Sequence, residues 1–174
     1  MHNFFKKYYF INRLKKNNID KLDNNTEVIF RNYHLKNPII EIIKVRDYCK
    51  KKGIKIYLAN DIKLALKLKL DGAYLPSFYK NFRHLAYTLR KKFLLIGSAH
   101  NLREIRLKET QCVEYIFISS LFKRNKNYLG AHKFISLKKL TKRKIIALGG
   151  ISKENLKQFR LTKCIGFSGI RYFE

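Results

Sequence analysis

Eight short apolar runs, set about 20–30 residues apart, constrain this chain more than any other feature of it. They are YYFINR (8–13), EVIFRNY (27–33), IKIYLAN (54–60), GAYLP (72–76), FLLIGSAH (93–100), EYIFISS (114–120), KIIALGG (144–150) and CIGFSGI (164–170). Each is rich in β-branched or aromatic residues and apolar at both parities. A strand wetted on one face alternates; a strand apolar on both belongs to a parallel sheet covered on both sides.

Helical patterns fill the gaps. PIIEIIKVRDYCKKKG (38–53) follows Asn37, a candidate N-cap, opens on Pro38 and closes on Gly53. Further helices are predicted over 61–70 from Asp61, 77–92 from Ser77, 101–111 from Asn101 and 152–163 from Ser152, where Asn155 takes the capping-box position. Strand–helix alternation implies a parallel sheet, and eight units imply a short (β/α)8 TIM barrel, with an open doubly wound sheet as the alternative. No linker or shift in composition divides residues 1–174, so one domain is expected. The first connection, 14–26, is polar and Asn-rich and predicts a short or irregular helix. Little sequence follows the eighth run, so the last helix is expected to be truncated. Its apolar face then needs a cover, from Phe4 and Phe5 or from a second subunit in a homodimer.

The formal net charge is +27. A polyanion such as nucleic acid is one explanation. The other is the residue bias of an AT-rich coding sequence, rich in Lys, Asn, Ile, Phe and Tyr, combined with anionic small-molecule ligands. The lysines are spread along the whole chain rather than gathered in a tail, which favours the second. No apolar stretch approaches the roughly 18 residues of a membrane span, and MHNFFKKYYF lacks a signal-peptide pattern. A cytoplasmic protein is expected, with Cys49, Cys112 and Cys164 reduced and buried and no metal-binding cysteine spacing.

In such a barrel the site lies at the C-terminal ends of the strands. Gly149 and Gly150 end the seventh run ahead of a predicted helix. Two glycines turn tightly and bare their N–H groups, and loops after strands 7 and 8 are a common phosphate site, to which Ser168 and Gly169 add small residues. Without a phosphate the same pair is a tight βα turn. Asn60 and Asp61 end the third run; Asp61 suits either Mg²⁺ or the cap of the next helix. Arg31 shares a strand face with Ile29 and Tyr33 and suits a phosphate or diphosphate, or else a structural ion pair. Ser98 and His100 close the fifth run, where acid–base work competes with capping and core hydrogen bonds.

In order along the chain, these pieces resemble the thiamine phosphate synthase family, with its thiazole tautomerase branch. IFRN carries the arginine of the family's Q-x-R-x-K strand at Arg31. LAND is similar to its Asn-Asp at Asn60 and Asp61. LDGAYLP is similar to its Ala-Asp-Gly-Val-His-Leu segment through Asp71, Gly72 and Leu75. GSAH resembles its Ser-x-His at Ser98 and His100, IIALGGISKENL its Ala-Ile-Gly-Gly-Ile, and IGFSG its Gly-x-Ala segment. The resemblance implies a (β/α)8 barrel that couples aminopyrimidine diphosphate to thiazole phosphate with Mg²⁺-assisted loss of diphosphate. By position, Arg31, Asn60 and Asp61 would face the diphosphate and metal, with Ser98 beside them and His100 nearby. Gly149, Gly150, Ser168 and Gly169 would hold the thiazole phosphate, helped by Lys126.

Several positions depart from the family pattern. Ile29 and Tyr33 replace the glutamine and lysine flanking the arginine, and Tyr74 replaces the fourth-strand histidine. Pro76-Ser77-Phe78-Tyr79 stands where Gly-Gln-x-Asp would supply the second metal carboxylate. Lys123-Arg124-Asn125-Lys126-Asn127 replaces the Thr-x-Thr-Lys phosphate loop. Three functions stay open: a divergent synthase, a tautomerase-like enzyme with His100 as a stand-in acid–base, and a catalytically reduced barrel binding a phosphorylated ligand or polyanion.

Overall fold

The computed structural model of the chain describes residues 5–173. Eight parallel strands close into a barrel in sequence order: β1 (Lys6–Ile11), β2 (Thr26–Phe30), β3 (Ile56–Ala59), β4 (Gly72–Leu75), β5 (Leu94–Ala99), β6 (Tyr115–Ser119), β7 (Lys144–Leu148) and β8 (Gly166–Ser168). The register Tyr8↔Ser168 between β1 and β8 completes the ring. Each strand overlaps one of the eight runs, β1 and β2 starting just ahead of theirs at Lys6 and Thr26 and the other six lying inside. Their two apolar parities are both used, one facing the barrel interior and one the helices.

The inward parity is aromatic. Tyr8, Phe10, Tyr57, Tyr74, Tyr115 and Phe117 pack with Ile29, Ile96 and Ile146 inside the barrel. Their rings meet edge to face: Tyr8–Phe117 at 4.9 Å, Phe10–Tyr74 at 5.2 Å and Tyr74–Phe117 at 5.6 Å between centroids. Such pairs add about 0.5–1.5 kcal/mol each beyond the area they bury. Small residues make room for them: a Cβ at Gly72 would lie 2.7 Å from the Tyr57 ring. The N-terminal end is closed by Glu27, which accepts from the Tyr57 hydroxyl at 2.8 Å and lies 3.5 Å from Lys6 and 3.7 Å from Lys55.

The outward parity packs against α1 (Lys16–Ile19), α2 (Pro38–Lys51), α3 (Ile62–Lys67), α4 (Leu102–Thr110), α5 (Gly130–Lys139), α6 (Leu156–Leu161) and α7 (Ile170–Phe173). As expected, α1 is one short turn. Tyr172 of α7 stacks on Phe167 at 4.7 Å, Phe173 on Tyr9 at 4.9 Å, and Phe5 on Phe159 at 5.1 Å. Aromatic side chains thus cover the outer faces of β1 and β8; Phe4 lies outside the described residues.

Three expectations are corrected. The helix predicted over 77–92 is a single 3₁₀ turn at Arg83–Ala86. Lys108 and Gln111, reaching across from α4 and its C-cap, occupy that flank, and their side chains bond the carbonyls of Pro76, Tyr79 and Asn81 at 2.8–3.0 Å. Carbonyls satisfied this way do not need helical N–H partners. The helix predicted from Ser152 starts at Leu156, because Asn155 turns back to donate to the Gly150 carbonyl and accept from Ser152 N–H. Cys112 is exposed, in a left-handed position (φ 58°) just beyond α4, while Cys49 and Cys164 are buried.

Candidate active site

Two walls of βα loops face each other across the C-terminal mouth. On the β2–β4 side, Arg31 directly follows β2 and lays its guanidinium over the Phe10 ring, 4.5 Å from the centroid. This is the inward face that its parity with Ile29 predicts. Tyr33, further along the loop, meets Phe78 of the β4–β5 connection edge to face at 5.7 Å. A cleft of about 300 Å³ opens beside them, with Asn32, Tyr33, Asn60 and Asp61 among its lining. Asn60 turns the chain out of β3 at φ 70°, with its N–H on the Tyr74 carbonyl at 2.9 Å. Asp61 caps α3, its Oδ1 accepting from Leu64 N–H at 2.8 Å.

Beneath Arg31, Phe10, Tyr74 and Phe117 form a floor that exposes at most 7% of any member. Burial pushes the Tyr74 phenol up to about 12, against the opposing pull of a hydrogen bond with Ser98 and the charge of Arg31. The ring therefore stays a neutral phenol at pH 7. Ser98 is itself buried and serves this floor. His100 Nδ1 lies 3.0 Å from the Ser119 carbonyl. A carbonyl only accepts, which assigns the proton to Nδ1 and leaves Nε2 as the basic nitrogen.

The opposite wall is backbone. Gly149 and Gly150 turn out of β7 at φ 104° and 77°. The β6–α5 loop lies directly on them: Phe122 N–H and Lys123 N–H both bond the Gly149 carbonyl, at 2.9 and 3.2 Å. A Cβ at Gly149 would lie 2.3 Å from Ser120 Oγ, and one at Gly150 2.7 Å from Lys123 N. Close approach and a φ beyond the range that other residues hold in this chain together make both positions glycine. Lys69, Cys112 and Lys163 hold left-handed angles after α3, α4 and α6 without being glycine. Lys126 rides on the same loop, which this knitting brings to the glycine turn. Gly169 is held against the Ile151 carbonyl, 2.3 Å from where a Cβ would sit, and the buried Ser168 hydroxyl donates to the Tyr8 carbonyl at 2.6 Å. Because α6 starts at Leu156, its N-terminus stands off from the turn.

The Mg²⁺ implied by the resemblance can be tested on the donors present. Asp61 Oδ1 is taken by the α3 cap, so one carboxylate oxygen remains. Where a second carboxylate would stand, the Pro76–Tyr79 segment is held from below by the Lys108 ammonium. Among the described residues no group of three His, Cys, Asp or Glu side chains converges. These residues do not form a metal cage.

Lys108 carries no motif and gave no sequence signal beyond a lysine on the buried side of a helix. It is fully buried, donates to Pro76 O, Tyr79 O and Gln111 Oε1 at 2.8–3.0 Å, and is drawn down to about 8 by desolvation, opposed by the charge of Glu104. It positions the loop that carries Phe78.

The fold and its mouth define a parallel (β/α)8 barrel with a cationic side-chain wall and a glycine-turn wall at its C-terminal face. Solved barrels of this kind include the thiamine phosphate pyrophosphorylase of Pyrococcus furiosus, which superposes with a TM-score of 0.74 over 96% of this chain and 86% of that one at 18% identity. The model of the thiamine monophosphate synthase family matches residues 25–173, and the chain belongs to that family. Curated relatives include the thiamine-phosphate synthase of Hydrogenobaculum sp., 26% identical over 78% of this chain and 64% of its own length. That of Prochlorococcus marinus is 28% identical over 81% and 42%. The chain thus spans less than two thirds of the length of these relatives. Among the described residues no helix is long and apolar enough to cross a membrane.

Proposed function

We propose that this chain is a thiamine phosphate synthase, joining an aminopyrimidine carried as its diphosphate to a thiazole phosphate in the cytoplasm. The observation that carries the proposal is the family match over residues 25–173, with Arg31 and the glycine turn on opposite sides of one barrel mouth. In this reading the bond from the pyrimidine methylene to the diphosphate oxygen breaks, and the electron pair leaves with the diphosphate. The thiazole nitrogen then supplies the pair for the new carbon–nitrogen bond.

The protein's part is electrostatic and positional. Arg31, always charged, takes up the negative charge that grows on the leaving diphosphate. The floor of Phe10, Tyr74 and Phe117 keeps water from the cation and offers it aromatic ring density. Ser98 and His100, tied to Tyr74 and Ser119, position that floor and the end of β6. Gly149, Gly150 and Gly169, with Lys126 on the adjoining loop, receive the thiazole phosphate.

The test mixes purified protein with both substrates and follows thiamine phosphate, in parallel with Mg²⁺ and with EDTA. Product in either arm is expected. Its absence from both, at protein concentrations equal to substrate, overturns the synthase and leaves a phosphate-binding barrel without this chemistry.

A further inference from the structure

The acidic side chains at the mouth share one property. Glu41 Oε1 accepts from Leu14 N–H at 2.8 Å. Asp61 caps α3. Glu104 takes His100 N–H at 2.7 Å on Oε2 and the Asn101 side-chain amide on Oε1. Glu154 is held low by a hydrogen bond from Ser152, then by its own backbone N–H. Asp61, Glu104 and Glu154 tie the chain locally and Glu41 joins α2 to the β1 loop, and among the described residues none of the four appears in an ion pair. The described ion pairs instead join Lys6 and Lys55 to Glu27, Lys7 to Asp23, Lys52 to Asp20, Lys144 to Glu114, and near neighbours on α2 and α4.

Among the described residues, six cations of the mouth stand outside these pairs. Arg13, Arg31, Lys36, Lys123, Arg124 and Lys126 all sit in βα loops and appear in none of these pairs. A second cleft, of about 690 Å³, sits between the β1 and β2 loops, with Asn12, Arg13, Asn32 and Asn37 among its lining. It adds amide donors to a cation, and its one carboxylate, Glu41, is already tied to Leu14 N–H. Such a rim suits a group of high negative charge that brings no counter-ion of its own.

We propose that this mouth binds a diphosphate group without Mg²⁺, with Arg31 and the loop cations taking the charge that a metal would otherwise neutralise. The inference concerns the diphosphate wall of the synthase reading and is tested by binding rather than turnover. Its failure is therefore distinguishable from failure of that reading.

The probe is inorganic pyrophosphate, titrated calorimetrically into the full chain, once in EDTA and once with excess Mg²⁺. Binding is expected in EDTA and should weaken when Mg²⁺ is added, because the ion competes for the ligand. Affinity should also fall steeply with added salt. Arg31→Ala should weaken binding at least about tenfold. Lys50→Ala, at the far end of α2, should change it less than about twofold. Asp61→Asn keeps a capping side chain and removes one negative charge, so binding should tighten by about two- to fivefold. Binding that appears only with Mg²⁺ and vanishes in Asp61→Asn would overturn the proposal. So would equal losses from Arg31→Ala and Lys50→Ala, which would mark a non-specific cationic surface, or no heat in either buffer.

Discussion

The two walls of the mouth are built in different ways. The β6–β8 wall is backbone against backbone: the Ser120–Lys123 segment lies on Gly149 and Gly150 so closely that no side chain fits between them. The β2–β4 wall is side chain against side chain, with Arg31 over Phe10, Tyr33 on Phe78, and the β4 loop held from beneath by Lys108. A wall of the first kind tolerates almost no change at its glycines. A wall of the second kind can exchange residues while its frame persists.

The sharpest way to break this contrast is Gly149→Ala. A left-handed φ and a 2.3 Å approach to Ser120 Oγ should together cost about 3–5 kcal/mol in urea unfolding. A variant as stable as the parent would show that the two loops part easily and that only a ligand requires the glycine.

Lys108→Met probes the opposite wall. It leaves the Pro76 and Tyr79 carbonyls without their donor, and the expected loss at pH 7 is about 2 kcal/mol. The pH dependence has a definite sign. Burial lowers the folded-state value to about 8 from an ordinary 10.5, so between these values the unfolded chain binds the extra proton. This group therefore contributes stability that grows as pH rises from about 8 toward 10.5, and its buried charge is a cost below that window. Comparing urea midpoints of parent and variant at pH 7 and pH 9.5, the parent should gain up to about 2 kcal/mol on the variant. A constant difference would mean that Lys108 titrates normally.

Asp61 gives the smallest effect and separates a cap from a metal ligand. Asp61→Ala should lose about 1 kcal/mol and Asp61→Asn only a few tenths, since asparagine caps as well as aspartate. Thermal melts with and without Mg²⁺ should show the same ranking. Stabilisation of the parent by Mg²⁺ that is absent from Asp61→Asn would restore a metal role.

Much of the barrel was legible because its strands are apolar at both parities, a pattern few other structures need. The helices were less legible. The 77–92 segment has a cap residue and helical spacing, but Lys108 and Gln111, far along the chain, satisfy its carbonyls. Nothing in the segment itself reports that. The helix α5, whose one buried residue is Phe134, is not among the predicted helices. At the site, Arg31 could be placed by parity alone. The cap at Asp61 is local, three residues from Leu64, and was one of its two readings, whereas the tie of His100 to Ser119 depends on a neighbour that strand order brings near.

Sequence by itself determined the eight-fold alternation, the aromatic filling, the excess of cations and the need for glycine at 149 and 150, because each follows from local spacing and residue type. Tertiary structure decided why those glycines are needed and what the carboxylates do. Both depend in part on distances between segments remote in sequence: Ser120 pressing on Gly149, Glu41 reaching Leu14 N–H, and Lys108 reaching under the β4 loop. The physical reason is that a side chain's role is set by the partner it meets first. For the carboxylates at this mouth that partner is a backbone N–H or a neighbouring side chain of the same loop, and the cations opposite remain for a ligand.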